Sequence, residues 1–246
     1  MTVLADSFID LPTSRGPMRV HLFLPLGGGK RPGVIFYSEI FQVTGPIRRM
    51  AAALAGEGYV VAVPEVYHEF EPLGTVLAYD QAGSDRGNAL KFTKEIDSFD
   101  EDTDVVAKFL LAHEACNGRL ASYGVCLGGH LAVRAGLHEA ITAVVAFYPT
   151  DIHTGKLGAG SKDDTFERMK TIDASLFLAW GRQDPHVPVD GRRQIHQLLE
   201  DHDRDFEWHE FNAAHAFLRD EGNRYNPALA RVGMALMLRF LGEKVG

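Results

Sequence analysis

The chain carries one pattern typical of a reactive side chain, a cysteine among glycines in Gly-Val-Cys-Leu-Gly-Gly at residues 124–129. It follows a predicted strand from Leu120 to Val125 and opens a predicted helix from Gly129 to Leu137. A nucleophile on so sharp a strand-to-helix turn has strained backbone geometry, and glycines two residues to either side let the strand and the helix approach closely. The helix dipole and the free N–H groups at a helix start favour a thiolate and a developing oxyanion. Cys126 is therefore a candidate nucleophile.

An acid and a base follow the ends of two later strand-like runs. Asp184 lies in Gly-Arg-Gln-Asp-Pro-His-Val-Pro (181–188) after Ser175 to Trp180, and His215 lies in Asn-Ala-Ala-His-Ala-Phe (212–217) after Phe206 to Phe211. Open α/β sheets bind ligands at the carboxyl ends of their strands, where Cys126 is also expected. Nucleophile, acid and then base is the chain order of the α/β-hydrolases. The order predicts that His215 takes the thiol proton and later passes it to the leaving group, while Asp184 orients the imidazole.

Each of these three residues also has an ordinary structural explanation. Cys126 could be a small buried apolar residue, Asp184 could cap a turn, and His215 could be a loop histidine. A redox thiol is a weaker alternative, because no resolving cysteine lies near Cys126 in the sequence. Cys116 lies at a predicted helix end and is interpreted as structural. Hydrolytic chemistry is favoured because all three positions match one known order at once.

Strand-like and helix-like segments alternate along the chain. Further strands are predicted at Met18–Leu24, Gly33–Tyr37, Tyr59–Val63 and Ile141–Tyr148. The first of them alternates in the manner of an exposed edge strand, whereas the others are continuous apolar runs that suit a parallel sheet covered on both faces. The alternation predicts an α/β fold with right-handed crossovers. No repeat or linker divides the sequence, so we expect one domain over residues 1–246.

Helix signals and two long irregular stretches complete the pattern. Ile47, Met50 and Leu54 keep helical spacing, and Asn226-Pro227 is a plausible cap and first turn for a terminal helix. The stretches 65–100 and 150–170 interrupt the alternation. Loops of that length in a compact domain usually serve as lids or pocket walls.

Composition excludes several classes of function. The 246 residues include 25 Lys+Arg and 33 Asp+Glu, a net charge of −8, which argues against non-specific binding of nucleic acid. No run of 18 apolar residues occurs, so we expect no membrane span. The chain has two cysteines, and its first residues show no secretion signal. We therefore expect the protein in a reducing cytoplasm. Neither His-Glu-x-x-His nor paired-cysteine spacing occurs, and we expect neither a metal nor another cofactor.

The motifs resemble those of the dienelactone hydrolases, the cysteine branch of the α/β-hydrolase fold. The resemblance runs from Met18 to the terminal helix and rests on Ser-Glu-Ile-Phe at 38–41, the cysteine motif, the setting of Asp184 and His-Ala-Phe-Leu-Arg at 215–219. It implies a three-layer α/β-hydrolase fold with a mostly parallel sheet and helices on both faces. It also implies a monomer that hydrolyses a small lactone or ester, with or without a carboxylate, through a thioester.

The resemblance implies roles for further residues. The glutamate matched by Glu39 accepts the thiol proton when substrate binds, although the residue alone would suggest a strand-end carboxylate in a surface ion pair. The backbone N–H groups of Ile40 and Leu127 would form the oxyanion hole, as the fold requires. Arg219 matches the arginine that binds the substrate carboxylate. We therefore expect these residues at the site.

Some positions depart from the family pattern or cannot be aligned. Gln42-Val43-Thr44 stands where the family has Gly, an aliphatic residue and Asn. The family resemblance also implies a second substrate arginine on the long loop after the predicted strand Tyr59–Val63, where Arg86 is the only arginine in the stretch 65–100. Tyr148 follows a strand end and either lines the site or packs in the core. These departures keep a second function open, that of a ligand-binding relative with little or no turnover.

Overall fold

The computed structural model describes residues 2–246, and its centre is one eight-stranded sheet. The strands are β1 (Thr2–Thr13), β2 (Gly16–Leu26), β3 (Arg31–Tyr37), β4 (Val60–Pro64), β5 (Cys116–Val125), β6 (Ile141–Phe147), β7 (Ser175–Gly181) and β8 (Phe206–Phe211). Their order across the sheet is β1-β2-β4-β3-β5-β6-β7-β8. Only the pairs that involve β2 are antiparallel, and the pairs from β4 to β8 are parallel. The mostly parallel sheet predicted from the sequence is confirmed.

Helices cover both faces of the sheet. They are α1 (Gly45–Gly56), α2 (Gln81–Thr93), α3 (Ile96–Ala112), α4 (Leu127–Ala135), α5 (Thr165–Arg168), α6 (Val189–Asp201) and α7 (Pro227–Lys244). Side chains from α1 and α7 pack in one apolar core, and those from α3, α4 and α6 pack in the other. β3 serves both cores, since Val34 belongs to the first and Ile35 to the second. None of the helices within residues 2–246 is long and apolar enough to cross a membrane.

Two predicted placements were wrong. Met18–Leu24 lies inside β2, which pairs with β1 on one side and β4 on the other, so it is not an edge strand. β1 takes the edge and leaves Phe8 exposed there. Cys116 is the first residue of β5 rather than a helix end, because α3 stops at Ala112 and a short turn intervenes. Its thiol is buried, in keeping with a structural role.

The stretch 65–100 contains α2, whose buried face is unusual. The buried residues of α2 are Gly83, Gly87, Leu90 and Lys91, so the helix lacks the apolar stripe that marks a helix in a sequence. A Cβ atom at Gly87 would lie 2.4 Å from the carbonyl oxygen of Ile40. Glycine at this position therefore lets α2 pack directly against the loop that follows β3.

The cap of the terminal helix provides a test of the fold. The side chain of Asn226 accepts a hydrogen bond of 3.1 Å from the backbone N–H of Leu229, as the Asn-Pro pair predicts. We expect Asn226→Ala to lower the free energy of unfolding by about 1 kcal/mol in urea denaturation. Asn226→Asp keeps an acceptor and should lose clearly less. Equal stability of the Ala variant and the parent would contradict the assignment of this cap.

Candidate active site

Cys126 occupies a strained turn between β5 and α4. Its backbone has φ 59° and ψ −124°, in a region that non-glycine residues rarely adopt. A Cβ atom at Gly124 would lie 1.8 Å from the carbonyl oxygen of Gly128, and one at Gly128 would lie 2.1 Å from that of Tyr37. Only glycine fits at either position. The close packing of β5, α4 and β3 therefore holds Cys126 at the N-terminus of α4, with its side chain partly exposed.

His215 lies between Cys126 and Asp184. Its Nδ1 atom is 2.6 Å from Oδ2 of Asp184, and both His215 and Cys126 line the same cavity. Burial alone would lower the pKa of His215, but the negative charge of Cys126 and the hydrogen bonds to Cys126 and Asp184 raise it to about 10. Burial opposes ionisation of Asp184 as well, yet the hydrogen bond to His215 keeps the pKa of Asp184 below its ordinary value. Asp184 therefore stabilises an imidazolium at His215, and Cys126 does so as well once its thiol has lost its proton.

Two aromatic rings hold the imidazole of His215 from its sides. The ring of Tyr148 meets it edge to face at 5.0 Å between centroids, and the ring of His186 meets it at 4.7 Å. Tyr148 is fully buried, and its hydroxyl has no hydrogen-bond partner among the described residues. Burial raises the pKa of Tyr148 well above its ordinary value, so the phenol stays neutral. Tyr148 thus packs behind the imidazole.

Glu39 lies on the loop after β3, and 2% of its surface is exposed. Its Oε2 atom accepts a hydrogen bond of 2.9 Å from the hydroxyl of Tyr79, and its Oε1 atom lies 3.8 Å from Nη1 of Arg219. Burial raises the pKa of Glu39, against the opposing effects of Arg219, Tyr79 and His215. A carboxylate in this setting binds a proton more readily than an exposed one.

These groups meet at a cavity of about 390 Å³ at the carboxyl edge of the sheet. Cys126, Glu39 and Ile40 line it together with His215 and Arg219, and further polar groups come from Tyr79, Ser84, Asn88, Lys91, Asp151, His186 and Arg224. Nζ of Lys91 lies 2.8 Å from Oδ2 of Asp151, so this cation is paired. The cavity has the size of a small-molecule site, and its polar walls suit a polar or charged ligand.

Comparison with known proteins decides the family, since the model of the dienelactone hydrolase family matches residues 18–245. The chain belongs to the dienelactone hydrolase family. A Saccharomyces cerevisiae protein provisionally named a carboxymethylenebutenolidase is 39% identical over 99% of this chain and 93% of its own length. A carboxymethylenebutenolidase from a Pseudomonas species is 25% identical over 92% of this chain and 90% of its own. The chain is accordingly a hydrolase of lactones or carboxylic esters.

Solved structures agree on the fold. A Klebsiella pneumoniae protein provisionally named a dienelactone hydrolase superimposes with a TM-score of 0.83 at 24% identity, over 98% of this chain and 99% of that one. A dienelactone hydrolase-like promiscuous phosphotriesterase from metagenomic libraries gives a TM-score of 0.79 at 17% identity, over 99% of each chain. The α/β-hydrolase fold predicted from the sequence is confirmed.

Most of the site residues that were predicted from the sequence of this dienelactone hydrolase family member lie together at the cavity. Asp184 lies behind His215, and Leu127 follows Cys126 as the first residue of α4. Arg86 does not reach the cavity, because its side chain is 48% exposed and bonds to Glu71 at 2.6 Å. The structure therefore places Arg86 on the outer side of α2.

Several polar residues of the cavity wall were not predicted from the sequence, and Ser84, Asn88, Lys91 and Arg224 are examples. Ser84, Asn88 and Lys91 follow one face of α2 at spacings of four and three residues, a signal that required α2 to be recognised first. Arg224 lies five residues beyond Arg219 on the loop after β8, and nothing in the local sequence distinguishes it from a surface arginine.

The contact between Cys126 and His215 makes a direct prediction. Because the charge of Cys126 raises the pKa of His215, Cys126→Ala should lower that pKa. NMR titration of the His215 ring measures it. The other cysteine gives a matched control, and Cys116→Ala should leave the pKa of His215 where it is. A value unchanged by Cys126→Ala would show that the two side chains do not interact.

Proposed function

We propose that this protein opens a small lactone or ester with a Cys126-His215-Asp184 triad, through a thioester intermediate. The observation that supports it best is His215, which lies 2.6 Å from Asp184, shares the wall of a small polar cavity with Cys126 and has its pKa raised by Cys126. We further propose that residues 1–246 form one domain, which acts as a cytoplasmic monomer without a metal or other cofactor.

The proposed reaction begins with loss of the thiol proton of Cys126. The thiolate attacks the carbonyl carbon, and the tetrahedral oxyanion accepts hydrogen bonds from the backbone N–H groups of Ile40 and Leu127. The N–H of Leu127 lies in the first turn of α4, where no partner exists within the helix. Collapse breaks the bond from the carbonyl carbon to the ring oxygen, and the leaving oxygen takes the proton that the thiol gave up.

Hydrolysis of the thioester completes the cycle. His215 takes a proton from water, and the hydroxide attacks the thioester carbonyl. The carbon–sulfur bond breaks, the acid product leaves, and the sulfur regains its proton from the imidazolium. Asp184 stays hydrogen-bonded to Nδ1 of His215 throughout, so that the other ring nitrogen exchanges protons with the reacting atoms.

Two groups can receive the first proton. His215 is the acceptor that the contact with Cys126 supports. Glu39 is the acceptor that the family resemblance implies, and its raised pKa suits the role. We propose that Glu39 takes the thiol proton when a substrate carboxylate draws Arg219 away from it. The thiol would then be charged only while substrate is bound.

The substrate proposed is a lactone that bears a carboxylate. The side chain of Arg219 lines the cavity and is 14% exposed, and its Nη1 atom lies 3.8 Å from Oε1 of Glu39, a separation that leaves donors for a ligand. Arg224 adds a second positive group from the same loop. The carboxymethylenebutenolidase names of the relatives agree with a substrate of this class.

Removal of the nucleophile tests the proposal. Cys126→Ala should reduce kcat for a dienelactone or an aryl ester by roughly 10⁴-fold or more. Cys116→Ala should retain activity, and steady-state hydrolysis assays compare the two. Undiminished turnover by Cys126→Ala would refute the mechanism. Lactone binding by the parent protein without any acid product would instead favour a ligand-binding protein.

Arg219 should act on charged substrates. Arg219→Ala is expected to raise KM by about tenfold or more for lactones with a carboxylate, since a charge-assisted hydrogen bond is lost. Neutral esters should show a much smaller change. Arg86→Ala provides the matched arginine control outside the cavity. A similar rise in KM for acidic and neutral substrates would remove the proposed role of Arg219.

A further inference from the structure

The residues that depart from the family pattern after Glu39 hold a second loop in place. Gln42 reaches the stretch before α2 through both ends of its amide, with Oε1 3.3 Å from the backbone N–H of Tyr67 and Nε2 3.4 Å from the carbonyl oxygen of Thr75. Oγ1 of Thr44 lies 2.7 Å from the hydroxyl of Tyr79. These polar side chains therefore tie the loop after β3 to the segment that carries Tyr79.

Tyr79 contacts both of the charged groups that face each other in the cavity. Its hydroxyl donates to Oε2 of Glu39 at 2.9 Å, and its ring lies 4.3 Å from the guanidinium carbon of Arg219. The ring of Phe41 packs against it edge to face, with 4.8 Å between centroids. One half-buried side chain thus fixes the position of a carboxylate through its hydroxyl and of a guanidinium through its ring.

The two hydrogen bonds of the Tyr79 hydroxyl have a defined direction. A phenol has one hydrogen to donate, and a carboxylate oxygen can only accept a hydrogen bond. The Tyr79 hydroxyl therefore donates its hydrogen bond to Glu39. The hydroxyl of Thr44 must then donate to the phenol oxygen. The hydroxyls of Thr44 and Tyr79 form a chain of donors that ends on the carboxylate of Glu39, which favours its ionised form.

We propose that Tyr79 is a positioning residue of this hydrolase. Its hydroxyl keeps Glu39 ionised and fixes the orientation of that carboxylate, and its ring holds Arg219 beside Glu39. Thr44 fixes the direction of the Tyr79 hydroxyl. The proposal rests on the role of Glu39 as acceptor of the thiol proton. A Glu39 that has already bound a proton cannot take one from Cys126. Without the Tyr79 hydroxyl, Glu39 binds a proton more readily, so the enzyme should need a higher pH to be active.

Other groups around Glu39 remain in a variant that lacks only this hydroxyl. Burial raises the pKa of Glu39, while Arg219, the Tyr79 hydroxyl, His215 and Arg224 lower it. The phenols of Tyr123 and Tyr148 also face its charge. Apart from the Tyr79 hydroxyl itself, each of these groups lies on β5, after β6 or on the loop after β8, away from the segment that carries Tyr79. A change confined to Tyr79→Phe therefore reports on its hydroxyl.

The test is the pH dependence of kcat/KM for an acidic lactone. In Tyr79→Phe the acid limb should move to higher pH by about one pH unit, since a hydrogen bond to a carboxylate changes proton affinity about tenfold. The alkaline plateau should stay near that of the parent enzyme. Tyr225→Phe is the matched control, because Tyr225 is exposed and lies outside this cavity. A merely structural loss would lower the whole profile without moving its limb.

A second pair of variants keeps the test valid if Tyr79→Phe fails to fold. Thr44→Val should move the acid limb in the same direction but less, and Thr44→Ser should restore it. An unmoved limb in Tyr79→Phe or Thr44→Val, or an equal shift in Tyr225→Phe, would overturn the role of Tyr79. Persistent turnover in Cys126→Ala would instead overturn the proposed triad, so the two failures are distinguishable.

Discussion

The left-handed backbone at Cys126 is the constraint on which the site depends. A non-glycine residue in such a region costs about 1–3 kcal/mol, and it persists only where the surroundings impose it. Here β5, α4 and β3 approach so closely that Gly124 and Gly128 leave no room for a Cβ atom. The same packing directs the thiol to the N-terminus of α4 and toward His215, which arrives from the loop after β8. The strain and the reactive geometry have one cause.

The two titratable groups beside Cys126, His215 and Glu39, bind protons for different electrostatic reasons. His215 binds its proton more tightly than a free imidazole because Cys126 and Asp184 outweigh the effect of its burial, whereas Glu39 does so because it is buried. The first group is stabilised as a cation, and the second is easily neutralised. A site with two such groups can store a proton on either side of the sulfur. In the proposed mechanism, an anionic ligand at Arg219 changes the balance on the Glu39 side.

The sequence was informative where a signal is local and uninformative where it depends on distant contacts. The turn at Cys126 and the cap at Asn226 are short motifs with steric causes, and the alternation of buried strands with helices predicted the sheet. Helix α2 escaped prediction because its buried face consists of two glycines, a leucine and a lysine. The prediction that Arg86 binds substrate was wrong for the same reason, because the side that Arg86 faces is known only once α2 is recognised. The contact between Tyr79 and Glu39 joins residues 40 positions apart and leaves no periodic trace.

The proposed mechanism requires a covalent bond between Cys126 and the acyl group of the substrate. Rapid-quench mass spectrometry with an aryl ester, followed by peptide mapping, tests it most directly. An adduct with the mass of the acyl group should appear on the peptide that contains Cys126 and decay at the rate of turnover. Product formed without any adduct, or an adduct confined to another residue, would contradict the account.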